Sequence, residues 1–188
     1  MTIQQLQATY VLEQDRILVR LNTPAGEELR LWLTRRMVRN LFPHMQQVTE
    51  EILARQATGG NDPGPDRSAR TQKLRQESLR KTDFTTPFKD QASTLPIGET
   101  PLLATTIHIT VCDGGTLRIG FEEELPGAHA KRSFEVTLGQ DLLLGFLHLL
   151  DTTLQHADWG IWLDLGDAPE DLSGADVLAK AKPPQYLN

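Results

Sequence analysis

The chain writes one pattern twice, and that repetition limits what it can fold into more than any other feature. Near the start, Arg16-Ile17-Leu18-Val19-Arg20-Leu21-Asn22 meets a turn, Thr23-Pro24-Ala25-Gly26, and Glu28-Leu29-Arg30-Leu31-Trp32-Leu33 follows. Thr34 then opens a helix-like segment. Further on, Thr116-Leu117-Arg118-Ile119-Gly120-Phe121 leads through a polar connection to Ser133-Phe134-Glu135-Val136, then Thr137 and a second helix-like segment. Ile17, Val19 and Leu21 share one face of a strand because side chains alternate with a period of two, and Leu29, Leu31 and Leu33 do the same. An apolar strand face must be covered, and helices laid on one side of a sheet are among the few ways to do it. The pattern therefore predicts an α+β fold, with an antiparallel sheet from two pseudo-repeated strand-turn-strand-helix units and two helices packed on one face.

One domain fits a chain of 188 residues. Residues 1–56 form the first unit and 101–158 the second. Residues 57–100 are a flexible or extended insert, and 159–188 a short strand, from Trp159 to Leu165, followed by a tail. In the first helix, Met37, Val38, Leu41, Met45, Val48 and Ile52 recur at three- and four-residue steps, which is an amphipathic helix to about Arg55. Pro43 predicts a kink or break, since it removes a donor and crowds the preceding turn. Residues 57–72 lose periodicity and read as a linker, and Lys73–Lys81 as a short basic helix. Residues 82–101, with Pro87, Pro96 and Pro101, read as an extended segment draped over the core. Thr34 and Thr137 are the expected helix caps, and Asp113-Gly114-Gly115 is a tight-turn signal.

Apolar runs fall short of the ~20 residues that span a bilayer, and the first residues lack a charged start and an apolar run of the signal-peptide kind. A cytoplasmic protein is expected. The net charge of −6 is unevenly spread. Residues 1–94 hold 14 Lys and Arg against 11 Asp and Glu, and residues 95–188 hold 5 against 14. An acidic chain is a poor default partner for nucleic acid. The asymmetry favours contact between the halves, or with a second copy.

Local catalytic motifs are missing. The one cysteine, Cys112, rules out an internal disulfide and a cysteine-based zinc site. None of the five serines sits in a G-x-S-x-G elbow. Gly59-Gly60 and Gly114-Gly115 lack the lysine and strand-to-helix setting of a phosphate loop. His148 and Asp151 lie three apart on one helix with His156 beyond, a spacing that can serve a metal but lacks a third local ligand. Glu122-Glu123-Glu124 reads as a solvated strand end. No cofactor is expected.

Two basic features remain. Residues 67–81 hold six basic side chains and one acidic. They lack the interleaved aromatics of a stacking platform. The second feature is Arg30, Trp32, Arg35, Arg36 and Arg39, which combine apolar area with guanidinium donors beside a helix start. Such residues suit a site for an anion or an acidic peptide. The leading expectation is a non-enzymatic protein-binding or assembly module, with a protein partner or itself as a homo-oligomer. One alternative is a small enzyme or ligand-binding protein with a site gathered from His108, Cys112, His148 and Asp151. Another is a nucleic-acid-associated regulator using residues 67–81.

The run Leu31-Trp32-Leu33-Thr34-Arg35-Arg36, with Leu21-Asn22-Thr23 before it, resembles an uncharacterised bacterial protein family of unknown function. The resemblance covers roughly the first 55 residues. It implies a bacterial cytoplasmic origin and carries no activity or site.

Overall fold

Alternating apolar residues set the strands. In the computed structural model, which describes residues 1–58, 67–82, 86–89, 94–127 and 131–161, β1 is Gln5–Val11, β2 Arg16–Asn22 and β3 Glu28–Thr34. β4 (Leu102–Leu103) completes a four-stranded sheet in the order β1-β2-β3-β4. β5 (Thr106–Val111), β6 (Leu117–Glu123) and β7 (Arg132–Leu138) form a second sheet of three. Three helices are described: α1 (Arg35–Thr58), α2 (Arg67–Lys81) and α3 (Gln140–Ala157). The fold is α+β, with its strands divided between two sheets where the sequence predicts one.

Backbone pairing nevertheless runs from each sheet into the other. The Ala104 N–H donates to the Trp32 carbonyl at 3.1 Å, and the next N–H, of Thr105, donates to Glu122 at 2.8 Å. The chain thus leaves one sheet and joins the other within two residues. At the opposite side, the Thr137 N–H donates to Met1 at 3.1 Å, while the Gln4 N–H donates to Asn22 at 2.8 Å. One apolar cluster fills the interior, drawing Ile17, Val19, Leu29, Leu31 and Leu33 from the first sheet and Leu117, Ile119, Phe121, Phe134 and Val136 from the second. Burying each such side chain contributes about 1.5–3 kcal/mol.

The helices depart from expectation in three ways. α1 runs unbroken through Pro43. That residue is exposed, so the carbonyl it orphans faces water, while Val38, Leu41, Phe42 and Met45 bury on the other side. The predicted linker and basic helix also shift: α1 extends to Thr58 and α2 begins at Arg67. α2 is no solvated insert. Leu79 packs with Leu53 of α1 and Leu144 of α3, so α2 stacks on the other two helices. The caps differ as well. Thr34 Oγ1 accepts the Met37 N–H at 3.2 Å, as predicted, but Thr137 lies within β7 and Gly139 is the capping position before α3. The strand continues past Thr137 because Leu138 is buried.

Residues 86–89 lie against the outer side of the first sheet and Thr94 pairs beside the start of β3, which refines the predicted draping over the core. Gln5 Nε2 donates to the Pro87 carbonyl at 3.3 Å, Asn22 Nδ2 to Lys89 at 3.0 Å, and the Glu28 N–H to Thr94 at 3.0 Å. Trp159, where a strand is expected to begin, is not in a strand. Most of that predicted strand, the tail and the centre of the linker lie outside the described residues.

Candidate interaction face

Strand alternation builds a second face on the four-stranded sheet. The inner set is Leu29, Leu31 and Leu33 on β3, so Glu28, Arg30, Trp32 and Thr34 point outward. Register places Thr9 opposite Leu18, Leu18 opposite Trp32 and Trp32 opposite Leu103. These four residues make one row across all four strands. All four are half-buried, and none of them belongs to the interior clusters. Cross-strand neighbours at such positions touch directly, so Leu18, Trp32 and Leu103 form a continuous apolar row that the core does not use.

Charge borders this row on both sides. Toward one end stands Glu28, only 1% exposed, between two guanidinium groups. Arg20 Nε lies 2.7 Å and Arg30 Nε 2.5 Å from its Oε1. Burial pushes the Glu28 carboxyl up, but the hydrogen bonds from Arg20 and Arg30 outweigh it and hold the group below its ordinary value. Arg20 also stacks over Phe88, 4.4 Å from the ring centroid. The draped segment therefore closes this end of the face. Arg30 spends part of its capacity on Glu28 rather than standing free.

Toward the other end, Arg16 pairs in register with Thr34, and Arg35, Arg36 and Arg39 are exposed on the first turns of α1. Arg35 is engaged: its Nη2 donates to the Trp159 carbonyl at 2.7 Å. Trp159 is itself buried. Its indole N–H donates to Asp15 Oδ1 at 2.6 Å, and its ring meets Tyr10 edge to face at 5.8 Å. Asp15 also accepts from the Tyr10 hydroxyl at 2.9 Å. The Trp159 and then the Tyr10 hydrogen bond hold the Asp15 carboxyl below its ordinary value. Among the described residues no carboxylate pairs with Arg16, Arg36 or Arg39. Of the five residues predicted as a binding set, Trp32, Arg36 and Arg39 keep unspent surface, and Arg30 and Arg35 are partly committed.

The residues of the enzymatic alternative fall on two elements, His108 and Cys112 at β5 and His148 and Asp151 on α3. His108 lies 3.3 Å from Glu122 on β6, and Cys112 Sγ approaches the Thr110 carbonyl at 3.8 Å. His148 and Asp151 feel Arg75 of α2. Burial, then the Arg75 charge, push His148 below its ordinary value, and burial pushes Asp151 up. His156 bonds its own helix, Nδ1 to Thr152 O at 2.7 Å. An open cleft of about 490 Å³ between α2 and the start of α3 is lined by Ser78, Lys81 and Asp141 among others, and by none of the four candidates. Among the described residues no group of three or more His, Cys, Asp or Glu is placed to hold a metal. The basic stretch 67–81 carries exposed Arg70, Lys73, Arg80 and Lys81.

The acidic run of the second unit holds a role that sequence reasoning missed. Glu123 is buried, paired with Arg132, and accepts the Leu103 N–H at 2.9 Å. Arg132 also donates to the Thr100 carbonyl at 2.9 Å. The predicted solvated strand end is thus a clamp where β4 meets β6. Its signal was the alternation itself, which puts Glu123 on the inner face with Leu117, Ile119 and Phe121. Among the described residues no helix is long and apolar enough to cross a membrane. Comparison with protein-family models, with curated proteins and with solved structures gives no match.

Proposed function

We propose that this chain is a non-enzymatic protein-binding and assembly module whose outer sheet face takes an acidic, aliphatic segment of a partner. The observation that carries this reading is the half-buried row Leu18–Trp32–Leu103, which the interior leaves unused and which has Arg16 next to it on the same face, with Arg36 and Arg39 exposed on the helix that follows β3. A tryptophan flanked by guanidinium groups offers apolar area and bidentate donors together, the combination that dominates binding energy at protein interfaces. Carboxylates on the partner would meet the arginines while its aliphatic side chains cover Trp32. The enzymatic alternative has less support, because its candidate residues contact different elements.

The test is selection from a random peptide library on the immobilised full chain. Enriched peptides are expected to interleave Asp or Glu with Leu, Ile or Phe. Their binding should weaken at least tenfold in the double variant Arg36→Glu, Arg39→Glu, and should fall as salt rises. Peptides without acidic bias, or binding indifferent to the charge reversal, would refute the reading.

A further inference from the structure

Among the described residues most sheet edges are occupied, and β5 stands out as one that is not. The β1 edge lies under α3, whose Thr153 hydroxyl donates to Leu149 of its own helix at 2.6 Å and sits 3.4 Å from the Ala8 carbonyl. The β7 edge carries Met1 and Thr2. Beyond β3 the four-stranded sheet ends at the two-residue β4, whose Leu103 N–H is taken by Glu123, while Thr94 pairs beside the start of β3. β5 pairs with β6 on one side, and among the described residues no backbone group pairs with its other side. The hydrogen bond from the Cys112 N–H to Thr116 at 2.9 Å fixes the parity. Even-numbered residues turn their backbone groups to β6, so Ile107, Ile109 and Val111 turn theirs outward.

Exposed edges are normally blunted by lysine, proline, a bulge or brevity, because unpaired N–H and C=O groups recruit another strand. β5 is six residues long, Thr-Ile-His-Ile-Thr-Val, with no lysine and no proline. Its inner row is incompletely covered: Ile107 and Ile109 are only half-buried, and Val111 is 42% exposed. The sequence Thr106-Ile107-His108-Ile109-Thr110 also reads the same in both directions. An antiparallel strand laid on this edge and centred on His108 puts Ile107 opposite Ile109, Thr106 opposite Thr110 and His108 opposite itself. That symmetry is what a two-fold axis requires of a self-complementary contact. The parity agrees, since Ile107 and Ile109 both carry outward backbone groups and can exchange both bonds of a hydrogen-bonded pair. Like faces then coincide, so the aliphatic rows of the two copies run together.

We infer that the β5 edge is an interface between two copies of this chain, joining their three-stranded sheets about a two-fold axis at His108. This deepens the assembly part of the function proposed above, on a surface separate from Trp32. The test is sedimentation of the full chain with two variants. The wild type is expected at twice 21.0 kDa. Ile109→Pro removes one outward N–H and leaves the β6 ladder intact, so it should raise the dimer dissociation constant at least tenfold with its circular dichroism unchanged. Trp32→Ala should keep the doubled mass, which separates failure here from failure of the peptide-binding face. Because a proline variant can misfold, a second readout is oxidation of His108→Cys in a Cys112→Ser background. Residues opposed at a non-hydrogen-bonded pair lie about 4.5 Å apart, within disulfide reach. Rapid crosslinking at 108, and little at 106 alone, is expected. A monomeric wild type at high concentration, or a dimer indifferent to Ile109→Pro that crosslinks better through 106 than 108, would overturn the inference.

Discussion

Glu28 is the most constrained single side chain in the first sheet. It is a buried carboxylate whose cost is met by Arg20 and Arg30, and removing one member of such a set leaves charge without its partner. Glu28→Ala should destabilise the fold by about 3 kcal/mol, read by urea unfolding. The pH dependence has a defined sign. The folded carboxyl lies below its ordinary value of 4.5, so its stabilisation is complete above that pH and is lost as pH falls through the folded value. Glu28→Gln should flatten the acid limb of the stability curve. His148 works the other way. Its folded value lies below 6.5, so the unfolded chain binds the proton first, and stability declines as pH drops below 6.5 until the folded value is passed. Arg75 is the charged group that adds to the effect of burial. His148→Gln should lose less stability than the wild type between pH 7.5 and 5.5. A wild type with no such slope would contradict the burial of this ring. Neither role is written in the local sequence, because a charged or polar residue at an outward or helical position looks solvent-exposed until distant chain covers it.

At the scale of elements, the strands were legible and the joints between them were not. Period-two alternation marks β2, β3, β6 and β7 because one face of each is buried. Which strands share a sheet depends on contacts such as Leu31 with Leu102, far apart in the chain and carrying no periodic signal. α2 was misread for a related reason. Its polar surface outnumbers Leu74 and Leu79, and only tertiary contact with Leu53 and Leu144 distinguishes a packed helix from a solvated one. Leu79→Ala should cost about 2–3 kcal/mol and raise amide exchange along α2 before the rest of the fold. Uniform exchange throughout would mean that α2 does not open separately. Pro43 lies exposed inside α1, so Pro43→Ala should restore a backbone donor and stabilise the helix by about 1–3 kcal/mol. A loss of stability would show that the proline has a packing role.

At the scale of the molecule, the two sheets and the segments that pass between them account for most backbone edges among the described residues and leave two surfaces unspent there. One is the β5 edge and the other the outer face around Trp32. The facing of Trp32 was legible, since its place opposite the Leu29–Leu31–Leu33 stripe followed from alternation alone. The engagement of the arginines was not read: Arg30 bonds Glu28, two residues away on the same strand face, and Arg35 bonds the Trp159 carbonyl, which only tertiary folding brings near. The most direct test of the central claim is the affinity of a library-selected acidic peptide for Trp32→Ala, measured by titration calorimetry beside the wild type. The account predicts binding weakened at least tenfold at an unchanged unfolding midpoint. Equal affinity in the two proteins would contradict it.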